Sequence, residues 1–145
     1  YRDYKADYIV VDKTGVGQGV YDRIKELGYN CKGVSFGEKS ENEQFGNLKA
    51  EWHWRERQWL LSGGRLLHNV GWNEFEVVKY KNKDGKILIQ PKEELFREGI
   101  SSPNCVDAAV LTMAISDTAI KGSYAYKQAQ KREFYDHTKT IWRNE

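Results

Sequence analysis

The sequence predicts an α/β fold, and three observations carry that expectation. A short β-branched run, Tyr8-Ile9-Val10-Val11, is followed by a glycine-rich loop, a helical segment and a second β-branched run. Such a succession within about thirty residues makes a βαβ unit with parallel strands. Further on, Asp84-Gly85 separates two strand-like runs, a strong hairpin signal.

Taken in order, the first run is bounded by Asp7 and Asp12 and has the look of a strand buried on both faces. Thr14-Gly15-Val16-Gly17-Gln18-Gly19 reads as a loop, and 20–27 as a helix closed by Gly28. The second strand covers 29–36, ending at Gly37, and the polar stretch 38–46 reads as a surface loop. Asn47 offers an N-cap for a helix running to about 61, where Ser62-Gly63-Gly64 ends it. Leu48, Trp52, Arg55 and Trp59 share one stripe of that helix, while Lys49, Glu51, Glu56 and Arg57 lie mostly elsewhere. The tryptophans are therefore read as core contacts rather than base-stacking platforms. Strands are expected at 75–80 and 86–90, and a short helix over 92–98 stopped by Gly99. A final apolar helix runs from 106 to about 120, with Ser102 as its cap and Pro103 at its first position.

The chain has 145 residues, enough for one domain with a sizeable core. Aromatic residues make up 13% of it, which argues against disorder. No window approaches 18 uninterrupted apolar residues, so a membrane span is excluded, and no signal stretch opens the chain. Cys31 and Cys105 lie far apart without CxxC spacing, so neither a disulfide scaffold nor a zinc ribbon is implied. The chain opens on Tyr1 and its only methionine is Met113, so a piece of a longer protein is expected.

The formal charge of +2 is unevenly spread. Residues 121–145 hold six basic and three acidic side chains, a net of +3, whereas 1–120 hold 17 and 18, a net of −1. We accordingly divide the chain into a body, 1–120, and a basic, aromatic-rich tail, 121–145. The tail interleaves Lys127, Lys131 and Arg132 with Tyr124, Tyr126, Phe134, Tyr135 and Trp142. That mixture suits nucleic acid; a solvated helix packing its aromatics on the body is the alternative.

Two carboxylates stand where chemistry gathers. Asp12 closes the first strand, at the edge of an open α/β sheet that collects ligands and catalytic groups; an Asx turn is the plainer role. The following loop misses both the dinucleotide pattern and the Gly-Lys-Ser/Thr ending of a P-loop. Asp107 lies about one turn into an otherwise small and apolar helix, where a carboxylate must find solvent, a partner or a metal. Its plainer role is an acid favourably placed against the helix dipole. Asn104, three residues earlier, shares its face. Two aspartates on separate elements, without a cysteine–histidine cluster, favour a hard cation, Mg²⁺ or Mn²⁺, over zinc. His53, His68 and His137 show no ligand spacing, and no serine sits in a Gly-x-Ser-x-Gly elbow.

Together these pieces resemble the C-terminal nuclease domain of the large terminase subunit of tailed bacteriophages and prophages. Three blocks carry the match: Tyr8-Ile-Val-Val-Asp12-Lys13-Thr-Gly-Val-Gly-Gln-Gly-Val20; Phe45-Gly-Asn-Leu-Lys-Ala50 with Leu60-Leu-Ser-Gly-Gly64; and Gln90-Pro-Lys92-Glu-Glu-Leu95 with Gly99-Ile-Ser-Ser-Pro103-Asn-Cys-Val-Asp107-Ala108. The resemblance implies an RNase H-like (RuvC-like) mixed sheet flanked by helices, here lacking its leading antiparallel strands and carrying an added β-hairpin. It implies a two-metal-ion endonuclease that cuts concatemeric double-stranded DNA in the cytoplasm of the bacterial host. An upstream ATPase domain of the same chain, the portal and the small terminase subunit are the partners it implies. By position Asp12 and Asp107 match acidic metal ligands, Asn104 stands where many relatives have a further acid, and Lys92 matches a basic residue before the last helix that is expected to face phosphate; Lys13 is a further candidate for nucleic-acid contact. Lys92 as a free surface lysine is the alternative. The family's first acid would lie upstream of Tyr8, so weak or absent activity is expected of this chain on its own. Two other readings stay open: another RNase H-like nuclease, such as a Holliday-junction resolvase or transposase core, or a non-catalytic docking module.

Overall fold

The computed structural model describes residues 6–115. Its first unit is the expected βαβ: strand β1 (Ile9–Asp12), helix α1 (Gly17–Glu26) and strand β2 (Cys31–Val34). The strands are parallel, in register from Ile9 opposite Cys31 to Asp12 opposite Val34. Helix α1 ends as the glycine predicts: Gly28, at φ +77°, lets its own N–H and that of Tyr29 turn back to the carbonyls of Lys25 and Ile24. Two details depart from expectation. The helix starts at Gly17, inside the predicted loop, and β1 is half-buried throughout rather than buried on both faces. Among the described residues β1 pairs with β2 alone, and α1 buries none of its own side chains against the pair.

Helix α2 (Leu48–Leu61) is stitched to the end of β2. Its Leu48 and Lys49 N–H groups donate to the carbonyls of Glu38 and Phe36, and the Asn47 side chain accepts from Ala50 at 3.0 Å as the N-cap. The buried face of α2 differs from the predicted stripe. Ala50, Trp52, His53 and Glu56 are buried, whereas Trp59 is exposed. Trp54 does pack, edge-on against Tyr80 and tilted against Phe45.

A 3-10 segment, Val70–Val77, takes the place of the first half of the strand predicted at 75–80. Here the Asn69 side chain accepts from Gly71 N–H, and the Trp72 indole donates to the Leu67 carbonyl, local bonds that compete with extension. The hairpin follows as strands β3 (Tyr80–Lys83) and β4 (Lys86–Ile89), antiparallel, with Asp84 at φ 52° and Gly85 at φ 76° forming the turn. Positive φ at both central residues is the primed turn that matches strand twist. A bridge between Phe45 and Ile87 joins β4 to the loop before α2.

Helix α3 (Lys92–Arg97) stops at Gly99, and helix α4 (Asn104–Leu111) leads into a short 3-10 turn, Thr112–Ala114. Ser102 does not cap α4; its hydroxyl donates to the Asn104 side chain instead. The cap comes from afar: the Glu74 carboxylate accepts from the N–H groups of Cys105 and Val106 at 2.6 and 3.2 Å. The core lies where β2, α2 and α4 meet, around Val34, Trp52, Val106, Val110 and Ala114. The last helix, predicted from 106 to about 120, instead starts at Asn104 and ends at Leu111, where the 3-10 turn and an extended Ile115 stop it; residues 116–120, the tail over 121–145 and its Lys127, Lys131 and Arg132 lie outside the described residues.

Candidate functional site

Asp12 ends β1 at the carboxyl edge of the parallel pair, the position expected of it. Its Oδ1 accepts from the Thr14 N–H at 3.0 Å and from the Thr14 hydroxyl at 2.7 Å, so the side chain makes the Asx turn. The turn is built tightly around Gly17: a Cβ there would stand 1.8 Å from the Asp12 carbonyl oxygen. Alanine at 17 should therefore push α1 off the strand end. We expect a loss of about 1–3 kcal/mol in urea unfolding; an unchanged midpoint would refute this packing. Lys13 extends from the strand end with its ammonium over the Tyr21 ring, 5.8 Å from the centroid.

Asp107 is on the first turn of α4 and is only 8% exposed. Elements that the sequence leaves far apart bring three basic groups to it. Lys49 Nζ, from the first turn of α2, lies 3.0 Å from Oδ1, with its charge also over the Phe36 ring. His53, one turn further along the same face, places Nε2 3.7 Å from Oδ1. Lys92, the first residue of α3, reaches Oδ2 at 2.7 Å and is the most exposed of the three. Burial opposes ionisation of Asp107, but the nearby His53, Lys92 and Lys49 outweigh it and hold the carboxyl well below the usual carboxylate range. Burial acts the other way on His53, lowering its pKa against the pull of Asp107 and keeping the imidazole neutral at pH 7.

The predicted residues are thus divided. Lys92 and Asp107 are brought together as an ion pair. Asn104 is exposed on the same helix and accepts from Ser102, while the hydrogen bonds of Asp12 stay within its own turn. Lys49 and His53 were missed. Their one signal is the spacing Lys49, His53, Glu56, which places three polar groups on a single helix face.

The donor set tests the expected metal. Hard oxygen ligands suit Mg²⁺ or Mn²⁺. Around Asp107, however, two ammonium groups already stand where a cation would, and no group of three or more His, Cys, Asp or Glu able to hold a metal ion occurs among the described residues. As arranged, these residues do not fit a divalent ion. What they fit is a single carboxylate held ionised beneath a surface lysine.

The sequence matches no protein-family model and no curated protein. The fold does have solved counterparts. The nuclease domain of the large terminase subunit gp2 of bacterial virus Sf6 superposes with a TM-score of 0.62 at 20% identity, over 79% of this chain and 68% of that one. A lysine-to-alanine variant of that domain, with manganese and beta-thujaplicinol, gives 0.64 at 19% identity over the same shares. The α/β fold of the chain is that of these terminase nuclease domains.

Proposed function

We propose that the chain is the nuclease domain of a phage or prophage DNA-packaging terminase, an endonuclease that acts on concatemeric double-stranded DNA. The observation that carries the reading is the fold shared with the Sf6 domain, together with a buried carboxylate on α4 beneath Lys92. In this proposal the domain works in the host cytoplasm beside an ATPase domain of the same protein, the portal and the small terminase subunit. The residues in place can do two things. Lys92, at the rim, presents a positive charge to a backbone phosphate, and Lys13 can serve similarly near Asp12. Lys49 and His53 keep Asp107 ionised and fixed. Hydrolysis in this class draws on Mg²⁺ or Mn²⁺, and the manganese in the Sf6 variant supports that choice. We propose Asp12 and Asp107 as two of the carboxylates concerned, with Lys49 and Lys92 having to leave Asp107 before an ion could bind there; as arranged the described residues do not fit the ion, so cleavage by this chain alone is expected to be weak or absent. The filled carboxylate of Asp107 also favours a second reading, a nuclease-like module that binds DNA without cutting it.

Binding and cutting should be measured side by side. Anisotropy of a labelled duplex is expected to show binding that weakens with salt, and Lys92→Ala should flatten the log–log salt slope by about 1. Plasmid nicking with MnCl₂ should be faint, and Asp107→Asn should remove whatever is seen. Vigorous nicking that Asp12→Asn abolishes would overturn the expected weakness. Failure to bind duplex even at low salt would overturn the DNA reading altogether.

A further inference from the structure

Three buried side-chain atoms without a hydrogen bond, His53 Nε2, Gln90 Oε1 and Asp107 Oδ1, belong to residues that line one small cavity between α2, α3, α4 and the end of β4. Their coincidence calls for an explanation, because a buried polar atom without a hydrogen bond is costly. Gln90 is not free to turn its oxygen elsewhere: its Nε2 donates to Glu98 Oε1 at 2.8 Å, which leaves Oε1 on the other side of the amide. Lys49 and His53 approach Asp107 Oδ1 at ion-pair distance, yet neither makes a hydrogen bond to it.

We propose that this cavity is a binding site for one ordered water molecule, which bridges His53, Gln90 and Asp107. Size comes first: the cavity is about 10 Å³, close to the room a single water takes and too little for any larger ligand. Charge comes second. A metal ion or ammonium would enter beside Lys49 and Lys92, two cations already counterbalanced by one carboxylate, whereas a neutral molecule meets no such opposition. Donor–acceptor matching comes third. Water has two protons to give and the site has two acceptors, Gln90 Oε1 and Asp107 Oδ1. The remaining atom, His53 Nε2, must then donate, so the imidazole proton sits on Nε2. Val78, Ile89, Leu95 and Pro103 form the apolar part of the cavity wall.

The water makes His53 and Gln90 positioning residues. It ties the carboxylate on α4 to α2 and to the exit of the hairpin, sharing the inner oxygen of Asp107 with the Lys49 ion pair while Lys92 takes the outer one. None of this requires the chain to cut DNA, so the water site and the nuclease reading stand or fall separately.

A high-resolution crystal structure of the 145-residue chain is expected to show one solvent peak within hydrogen-bond distance of all three atoms. Heteronuclear NMR of the His53 ring is expected to find the neutral Nε2–H tautomer. In Gln90→Leu the peak should be lost while His53 and Asp107 keep their places. A dry cavity, or a neutral His53 protonated on Nδ1, overturns the proposal; a peak that persists in Gln90→Leu removes Gln90 from it.

Discussion

Replacing Asp107 with alanine is expected to lower folding stability by about 3 kcal/mol, as removing one member of a buried ion pair does. Lys49 would be left with its charge largely inside the protein and only the Phe36 ring for company. Lys92 reaches solvent more readily, which keeps the figure at the lower end of such losses. Urea unfolding of the variant measures this directly, and a midpoint close to the wild type would refute the account. The paired change Lys49→Met with Asp107→Leu should recover much of the loss, because it removes both charges and not one. The pH dependence has a definite sign. The folded carboxyl titrates below its unfolded value, so its contribution is fully present above pH of about 4 and is lost as the solution is acidified further. In Asp107→Ala that part of the acid-side decline should be missing.

Glu56→Leu is expected to do the opposite and stabilise the protein at neutral pH by about 1–3 kcal/mol. Glu56 is 1% exposed, and neither carboxylate oxygen has a hydrogen-bond partner. Burial raises its pKa, so the fold favours the protonated form. Its stabilising share is complete below the unfolded carboxyl pKa of about 4.3 and is lost as pH rises through the higher folded value. At neutral pH the buried carboxyl group, without partners, is therefore a burden, which leucine removes. Glu56→Gln should gain less, since an amide without partners is still unsatisfied. Thermal or urea unfolding at two pH values tests this, and a clear loss of stability in Glu56→Leu would show that the carboxylate is serving a partner.

These two residues also show how far the sequence could be read. Features set by a few neighbouring residues were legible: the parallel pair around a glycine-rich connection, the glycine stops at Gly28 and Gly99, the Asn47 cap and the Asp-Gly turn. Asp107 was legible as a carboxylate out of keeping with its apolar helix. Its surroundings were not, because Lys49 and His53 lie more than fifty residues before it and meet it only when α2 packs on α4. The tryptophans misled the reading of α2. Weight given to Trp59 set the buried stripe wrongly, whereas contact with α4 and β4 puts His53 and Glu56 inside and leaves Trp59 at the surface. The 3-10 segment was missed for a related reason. The end of its strand-like pattern is real, but side-chain bonds from Asn69 and Trp72 decide the start.

The cap on α4 has a bearing on the order of assembly. A helix of eight residues is too short to hold itself, and its first amides depend on Glu74, some thirty residues upstream on another element. Until Val70–Val77 has docked, those amides have only solvent, and the turn bearing Asp107 is free to fray. The amides of Cys105 and Val106 are therefore expected to exchange with solvent on the timescale at which that segment opens, which makes them reporters of whether the carboxylate is in place.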